Sequence, residues 1–230
     1  MEKYKQNFIE FMVRAEVLRF GDFVTKSGRN TPFFINTGNY HTGKQMAALG
    51  GYYAAAIDAY FGRDFDVLYG PAYKGIPLAI SASMTLASQF NHDISFCFNR
   101  KEAKDHGEGG SLIGHSLKED DRILIIEDVI TAGTSVRESI SFLKAFVPVR
   151  VEGLIVSVDR QEKGAGELSA LQEMEQEFGI KTHAIVTLQD ILEHMYNRRI
   201  DGVVVVDDAI KLKIEEYRRH YGVAGQDDQK

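Results

Sequence analysis

The feature that most constrains the fold is the segment at residues 122–137, Arg-Ile-Leu-Ile-Ile-Glu-Asp-Val-Ile-Thr-Ala-Gly-Thr-Ser-Val-Arg. Its four consecutive aliphatic residues, at 123–126, predict a strand that is buried on both faces. The carboxylates of Glu127 and Asp128 follow at once, and an amphipathic helix is predicted after the next turn. A strand, a turn and a helix in this order are typical of an open parallel sheet, in which ligands bind beyond the carboxyl ends of the strands.

The turn has the composition of an anion-binding site. A helix N-terminus presents free backbone N–H groups and the positive end of the helix dipole. Thr131, Thr134 and Ser135 add hydroxyl donors, and Gly133 allows the backbone to approach a bound group closely. No Gly-Lys-Ser/Thr follows the turn, which argues against a Walker-type phosphate site. The alternative interpretation is an ordinary strand-to-helix turn with solvated acids.

The adjacent acids, Glu127 and Asp128, need a ligand group other than the phosphate, because carboxylates repel phosphate. Carboxylates accept hydrogen bonds from the hydroxyls of a sugar diol, and a nearby Mg²⁺ would offset the charge. A ribose 5-phosphate satisfies both requirements, with its phosphate on the turn and its 2- and 3-hydroxyls on the acids. The motif therefore favours a phosphoribosyl site.

Composition limits the class of protein. The chain has 230 residues, enough for one well-packed domain, and a net charge of −6, which argues against a general nucleic-acid binder. The single Cys97 excludes an internal disulfide framework, and the seven histidines lack the spacing of a zinc site. We find no signal-peptide core and no apolar run of membrane-spanning length, so we expect a cytoplasmic protein.

The rest of the chain alternates between the hydrophobic pattern of a strand and that of an amphipathic helix. From residue 66 onward strands and helices take turns, which predicts an α/β protein with a parallel sheet. A polar, glycine-containing turn between two short apolar runs predicts a hairpin at residues 21–36. Strands are expected at 66–69, 94–98, 123–126, 151–158 and 181–187, and helices at 4–20, 43–60, 78–90, 167–178, 188–196 and 207–221.

Two further segments contain candidate ligand-binding residues. Arg160 lies just beyond a predicted strand end, where it could bind a carboxylate with two hydrogen bonds or pair with Asp159 or a surface acid. The polar, glycine-rich run at 99–111 has few apolar anchors, and it is either an exposed charged loop or a loop that closes over a polyphosphate. Its cationic or proton-bearing residues are Arg100, Lys101, Lys104 and His106.

Taken together, these blocks resemble a known family. Residues 122–137 resemble the phosphoribosyl diphosphate (PRPP) motif of type I phosphoribosyltransferases. The hairpin string Lys-Ser-Gly-Arg at 26–29, the turn at 70–77 and the run at 99–111 are similar to those of orotate phosphoribosyltransferases. The resemblance spans roughly residues 8–196, in the family's order. It implies a type I phosphoribosyltransferase fold, a central mostly parallel sheet flanked by helices, within a single domain at 1–230. Residues of about 1–40 would contribute to an N-terminal hood and about 60–190 would form the core.

The resemblance also implies roles for individual residues. Catalysis is assigned to Lys104, His106 and Asp128. Orotate binding is assigned to Phe34, Ile35, Thr131 and Arg160, although the family often has an aromatic residue where this chain has Ile35. Glu127 stands where some relatives carry Asp. PRPP binding is assigned to Lys26, Ala72, Tyr73, Lys74, Arg100, Lys101, Lys104, His106, Glu127, Asp128, Val129, Ile130, Thr131, Ala132, Gly133, Thr134 and Ser135.

The implied activity is transfer of phosphoribosyl from PRPP to orotate, which gives orotidine 5-phosphate and pyrophosphate in de novo pyrimidine biosynthesis. Mg²⁺ would be bound mainly through PRPP rather than by a protein site. Family members are homodimers in which a loop lysine, matched here by Lys104, reaches the neighbouring active site. Neither nucleic acid nor a membrane is expected as a partner. Two alternatives stay open, a purine or uracil phosphoribosyltransferase and a PRPP-sensing regulator of nucleic-acid binding.

Overall fold

A six-stranded sheet forms the centre of the protein. The computed structural model describes residues 1–25, 28–101, 111–164 and 166–223. The strand order is β5-β4-β3-β6-β7-β8, and every neighbouring pair is parallel except β4 and β5. These strands are β3 (Val67–Tyr69), β4 (Ser95–Asn99), β5 (Leu112–Gly114), β6 (Arg122–Ile126), β7 (Arg150–Asp159) and β8 (Lys181–Thr187). The expected mostly parallel α/β sheet is therefore confirmed.

Helices cover both faces of this sheet. The core residues of α1, α2, α3, α6 and α7 belong to one hydrophobic cluster, and those of α4 and α5 belong to a second cluster. The helices are α1 (Lys3–Arg14), α2 (Gly43–Tyr60), α3 (Gly75–Phe90), α4 (Thr134–Phe146), α5 (Ala170–Phe178), α6 (Leu188–Met195) and α7 (Asp208–Tyr221). In the part of the chain that the structure describes, no helix combines the length and apolar character needed to cross a membrane.

The central position of β6 in the sheet explains the run of aliphatic residues at 123–126. Leu124 and Ile126 join the first cluster, whereas Ile123 and Ile125 join the second, and all four side chains are fully buried. Alternate residues of a strand point to opposite faces, so a strand between two helical layers needs apolar residues at every position. Burial of each such side chain contributes about 1.5–3 kcal/mol to the free energy of unfolding.

The N-terminal segment forms its own two-stranded sheet. β1 (Leu18–Val24) pairs antiparallel with β2 (Asn30–Ile35), as the hairpin prediction required. The predicted helix at 4–20 was too long, because α1 ends at Arg14 and Glu16 adopts a positive φ of 55°. The apolar residues that follow fit helical spacing but are buried as part of the strand, so periodicity alone could not separate the two elements.

Other differences are small and local. Helix α5 begins three residues later than expected, where Ser169 and Gln172 form a capping box that fixes its start. The short edge strand β5 and the hairpin of β9 (Arg199–Ile200) and β10 (Val203–Val204) were not predicted. None of these differences moves the carboxyl ends of β3, β4, β6 and β7, at which the candidate site residues meet.

Candidate active site

The acid pair at the end of β6 is held rigidly by its backbone. Glu127 and Asp128 are only 8% and 7% exposed. The hydroxyl of Tyr53, on α2, donates a hydrogen bond to the carbonyl oxygen of Glu127 at 2.6 Å. The hydroxyl of Ser157, on β7, donates to the carbonyl oxygen of Asp128 at 2.5 Å, and the Ser157 N–H donates to the same oxygen at 2.9 Å. Helix α2 and strand β7 therefore fix the backbone of the acids.

The Glu127 carboxylate faces the turn that follows. It accepts hydrogen bonds from the Ser135 hydroxyl at 2.8 Å and from the Asp128 N–H at 3.3 Å. Burial raises the pKa of Glu127, and the Ser135 hydrogen bond opposes this rise only in part. An acid whose ionised form is disfavoured by burial lowers the stability of the fold once it loses its proton.

This raised pKa predicts how a Glu127→Gln variant depends on pH. Between the ordinary glutamate pKa and the higher folded-state pKa, the folded protein binds more protons than the unfolded chain, so its free energy of unfolding falls as pH rises. The neutral amide escapes this loss. Urea denaturation should show that the free energy of unfolding of the variant, relative to wild type, is larger at about pH 7 than at about pH 4.

The exposed Glu119 supplies the control for that series, because Glu119→Gln changes the same charge without a burial penalty. A relative stability of Glu127→Gln that is flat or decreasing over the same pH interval would contradict the assigned cause.

The Asp128 carboxylate is held by two side chains. Its Oδ2 accepts hydrogen bonds from the Thr37 hydroxyl at 2.5 Å and from the Lys74 ammonium at 2.8 Å, and its Oδ1 accepts one from the Val129 N–H at 2.7 Å. The Lys74 side chain is largely exposed, so its charge can turn from Asp128 toward an anion without leaving the site. A ligand hydroxyl that reaches Oδ2 must share it with Thr37 or replace Lys74.

The turn after the acids opens α4 with an uncapped N-terminus. Gly133, the residue before the helix, has a φ of 72°, and no side chain caps the first turn. This positive φ favours glycine, whereas a Cβ atom here would meet only the flexible end of Met174, with its Cε at 2.9 Å. Arg137 donates to the carbonyl oxygen of Ala132 at 2.6 Å, which fixes the turn from its outer side. The N–H groups of the first turn are therefore ready to bind an anion.

A second turn joins β3 to α3 beside the first. Its ends approach so closely that a Cβ atom on Gly70 would lie 2.2 Å from the Gly75 carbonyl oxygen. The Ala72–Tyr73 peptide bond is cis, and the Ala72 N–H donates to Asn99 Oδ1, at the end of β4, at 2.8 Å. The exposed Tyr73 ring lies under the ammonium of Lys101, 5.1 Å from its centroid. This turn therefore connects the acid pair, through Lys74, with the start of the polar, glycine-rich run at 99–111.

Arg160 lies beyond the end of β7 in a cluster of charged and aromatic groups. Its Nε and Nη2 both donate to Glu162 Oε1, at 2.8 and 2.7 Å, and its guanidinium lies 4.8 Å from the centroid of the Phe33 ring. Arg29 contacts the other carboxylate oxygen of Glu162 at 3.3 Å. The cluster borders a cavity of about 410 Å³ that Thr131 and Ala132 also line. A cavity lined by both cationic and acidic side chains thus adjoins the turn that follows the acid pair.

The residues implied by the resemblance are distributed unevenly around these features. Lys74, Glu127 and Asp128 meet directly, and Thr131 shares the cavity with Arg160. Phe34 instead stacks on Phe23, with ring centroids 5.6 Å apart, and lies under the guanidinium of Arg19. Ile35 packs against the first hydrophobic cluster. Arg100, Val129, Ile130, Thr134 and Ser135 lie in or beside the two turns, whereas Lys26, Lys104 and His106 lie outside the described residues.

Several contacts of the site were not found from the sequence. Tyr53 and Tyr217 occur on apolar helical faces and therefore predicted only packing. Thr37 follows the hairpin without any motif of its own. Ser157 lies within an aliphatic strand, and Glu162 follows a strand end without a motif of its own. The spacing of Glu162, two residues after Arg160, was the one signal that could have been used.

A parallel sheet that presents a buried acid pair beside an uncapped helix N-terminus is the arrangement expected of a phosphoribosyltransferase. In agreement, the sequence model of the phosphoribosyl transferase domain matches residues 36–184. The chain is 55% identical to an orotate phosphoribosyltransferase of Clostridium acetobutylicum, over 97% of this chain and 100% of that relative. It is also 55% identical to that of Lachnoclostridium phytofermentans, over 97% and 99%.

A solved structure agrees with these relatives. The 1.9 Å crystal structure of the orotate phosphoribosyltransferase of Francisella tularensis matches with a TM-score of 0.80 and 37% identity, over 94% of this chain and 95% of that chain. The chain therefore belongs to the orotate phosphoribosyltransferase family.

Proposed function

We propose that the protein transfers the phosphoribosyl group of PRPP to orotate, which gives orotidine 5-phosphate and pyrophosphate in pyrimidine biosynthesis. The family membership supports this activity. The observation that assigns it to particular residues is the buried Glu127–Asp128 pair, which precedes an uncapped helix N-terminus whose turn also lines the Arg160 cavity. One substrate in this position meets all three features, because PRPP has a phosphate, a diol and a reacting carbon that must face the acceptor base.

The proposed contacts follow from this arrangement. The 5-phosphate binds the N–H groups and hydroxyls of the turn at 131–135, and the ribose hydroxyls bind Glu127 and Asp128. The pyrophosphate lies against the turn at 72–74 with Arg100 and Lys101, where Lys74 exchanges its Asp128 contact for the anion. Orotate enters the Arg160 cavity. We also propose that residues of about 1–40 contribute a hood over a core of about 60–190 within one domain.

Catalysis then rests on position and electrostatics more than on a strong base. Orotate N1 loses its proton readily and attacks C1 of the ribose as the bond to pyrophosphate breaks. The positive charge that develops on the ribose ring lies next to Asp128, and the negative charge on the leaving group lies next to Lys74. From the family resemblance, Lys104 and His106 stabilise or protonate the departing pyrophosphate.

The acid pair also fits Mg²⁺ bound together with PRPP. Mg²⁺ is typically held by one or two carboxylates together with substrate phosphates, and the adjacent carboxylates of Glu127 and Asp128 provide oxygens of that kind. The described residues contain no cluster of three or more His, Cys, Asp or Glu side chains that could hold a metal without a ligand. When bound, the ion would supply positive charge against the pyrophosphate. We propose that it arrives with PRPP.

Product analysis tests the proposed activity. The protein is incubated with PRPP, Mg²⁺ and orotate, and orotidine 5-phosphate and pyrophosphate are measured separately. Equal amounts of both products support the transfer. Pyrophosphate without the nucleotide would mean that water is the acceptor, and unchanged PRPP would mean that the chain lacks the activity.

We further propose that the protein is a cytoplasmic homodimer whose subunits share active sites. An apolar groove of about 970 Å³ runs over α2 and α3 and ends at Pro77, close to the pyrophosphate turn. Met84 lies in this groove and is 67% exposed. An exposed apolar surface of this kind supports an interface between copies. From the family resemblance, Lys104 of one subunit would serve the Asp128 of the other.

A subunit-mixing experiment tests the shared site. Lys104→Ala and Asp128→Asn proteins, each nearly inactive, are unfolded together and refolded as a mixture. Random pairing makes about half of the dimers hybrid, and each hybrid has one intact site, so roughly a quarter of wild-type activity should return. If Lys104 serves its own subunit, both sites of a hybrid carry a lesion. Hybrids that form, as judged from differently tagged chains, and stay inactive would overturn the proposal.

A further inference from the structure

We propose that Glu162 is a positioning residue for Arg160, and that helix α7 takes part in the choice of acceptor base through Tyr217. The proposal rests on the proposed function, because it assumes that Arg160 binds the orotate carboxylate. Glu162 itself would touch no substrate. Its part would be to hold the guanidinium in the orientation that a flat carboxylate substrate requires.

Some N–H donors of Arg160 bind Glu162 and the others are left for a substrate, as this role requires. A guanidinium has five N–H groups in a fixed planar arrangement. Glu162 Oε1 takes one from Nε and one from Nη2, and within the described residues Nη1 makes no hydrogen bond. Three N–H groups are left, and the pair on the Nη1–Nη2 edge matches the two oxygens of a carboxylate. Glu162 thus fixes one edge of the guanidinium and leaves the other edge open.

The face of the guanidinium is fixed as well. It lies over the ring of Phe33, 4.8 Å from the centroid, and the edge of that ring meets Tyr217 with centroids 5.8 Å apart. Phe33 is fully buried, so this support cannot move without disturbing the core. An arginine held at one edge and on one face keeps a single orientation, which lowers the entropy lost when substrate binds.

Glu162 is in turn fixed from the side of α7. The Tyr217 hydroxyl donates to Glu162 Oε1 at 2.9 Å, and Tyr217 is only 5% exposed. The backbone ties the same two segments together, because the Lys163 N–H donates to the Tyr221 carbonyl oxygen at 2.8 Å and the Val223 N–H donates to the Gln161 carbonyl oxygen at 3.1 Å. The end of α7 is therefore part of the support beneath Arg160.

The charges of the cluster lead to the same conclusion. Glu162 contacts two guanidinium groups, those of Arg29 and Arg160, at opposite oxygens of its carboxylate. One negative charge meets two positive charges in these three groups, and burial raises the pKa of Asp159, the other acid of the cavity, which disfavours its ionised form, so the cluster favours a substrate carboxylate. A base without a carboxylate, such as uracil, would gain nothing from this arrangement. The cluster is thus a device for selecting an acidic base.

Steady-state kinetics on the whole protein test the role of Glu162. We expect Glu162→Ala to raise the orotate KM by about tenfold or more, because a hydrogen-bonded partner of a charged group is lost. Glu162→Gln keeps an acceptor oxygen and should restore part of the loss. Tyr217→Phe deletes one hydroxyl and should raise the orotate KM by a few fold. The PRPP KM and the rate with uracil should not change.

Two matched controls separate positioning from general damage. Glu167→Gln removes an exposed carboxylate that pairs with Lys163 on the same segment. Tyr196→Phe removes a hydroxyl that donates to Asp208 at the start of α7, far along the helix from Tyr217. Both controls should keep the wild-type KM for orotate and for PRPP.

The outcomes distinguish the inference from the proposed function. A selective rise in the orotate KM supports the positioning role. An orotate KM that stays at the wild-type value, or that rises together with the PRPP KM, overturns it while the transferase activity of the wild-type protein stands. If Glu162→Ala does not fold, the single-hydroxyl variant Tyr217→Phe decides by the same criteria. A wild-type protein that forms no orotidine 5-phosphate overturns the proposed function and this inference together.

Discussion

Replacement of Asp128 with asparagine should lower kcat by about 10²–10³-fold, the loss typical when one group that stabilises transition-state charge is removed. The substitution keeps the size of the side chain and removes the negative charge beside the ribose. It also replaces one carboxylate oxygen with an N–H donor, which cannot accept the hydrogen bonds of Thr37 and Lys74 that meet at Oδ2. Because the backbone of Asp128 is held by Ser157, the fold itself should persist.

Initial rates with saturating PRPP and orotate measure this effect, and a thermal denaturation curve checks the fold. Asp120→Asn, on an exposed aspartate before β6, is the matched control and should behave like wild type. An Asp128→Asn protein with near wild-type turnover and unchanged Mg²⁺ dependence would remove Asp128 from the ribose site.

Replacement of Arg160 with alanine should raise the orotate KM far more than the PRPP KM. Loss of one partner of a buried charge-assisted pair costs about 2–5 kcal/mol, or roughly 30-fold to several thousand-fold in affinity. The side chain of Arg160 is mostly buried, and it contacts Glu162 and Phe33 rather than the residues of the turns assigned to PRPP. The effect should therefore separate the two substrates.

The control lies on the same strand. Arg150 is the first residue of β7, at the end of the strand opposite to Arg160, and its side chain is exposed. Arg150→Ala should therefore leave both KM values unchanged. A rise confined to the PRPP KM in Arg160→Ala would assign Arg160 to the phosphate site and would contradict the model of the orotate cavity.

The sequence predicted those parts of the protein that depend on local pattern. The aliphatic run of β6 required apolar residues on both faces, and the two helical layers that it implied are present. The order of strand, turn and helix also placed Glu127, Asp128 and Gly133 at the carboxyl edge of the sheet. Both results follow from alternation along a strand and from the chemistry of a helix N-terminus.

The sequence could not predict contacts that join distant segments. Thr37 reaches Asp128 across 91 residues, and Tyr217 reaches Glu162 across 55. A threonine after a hairpin and a tyrosine on an apolar helical face have no local signal for such roles, because the contact depends on how separate elements pack. The same limit applies to Phe33, since the alternation of β2 did not show which of its aromatic residues would lie under Arg160.

A competition for PRPP tests the central claim most directly. Orotate, uracil, hypoxanthine and adenine are supplied together at equal concentration with PRPP and Mg²⁺, and the nucleotide products are separated by mass. The charged cavity around Arg160 predicts that orotidine 5-phosphate is the dominant product. Dominance of uridine, inosine or adenosine monophosphate would establish a different phosphoribosyltransferase. No nucleotide from any base, with PRPP still bound by the protein, would favour a PRPP-sensing regulator and contradict the proposed enzyme.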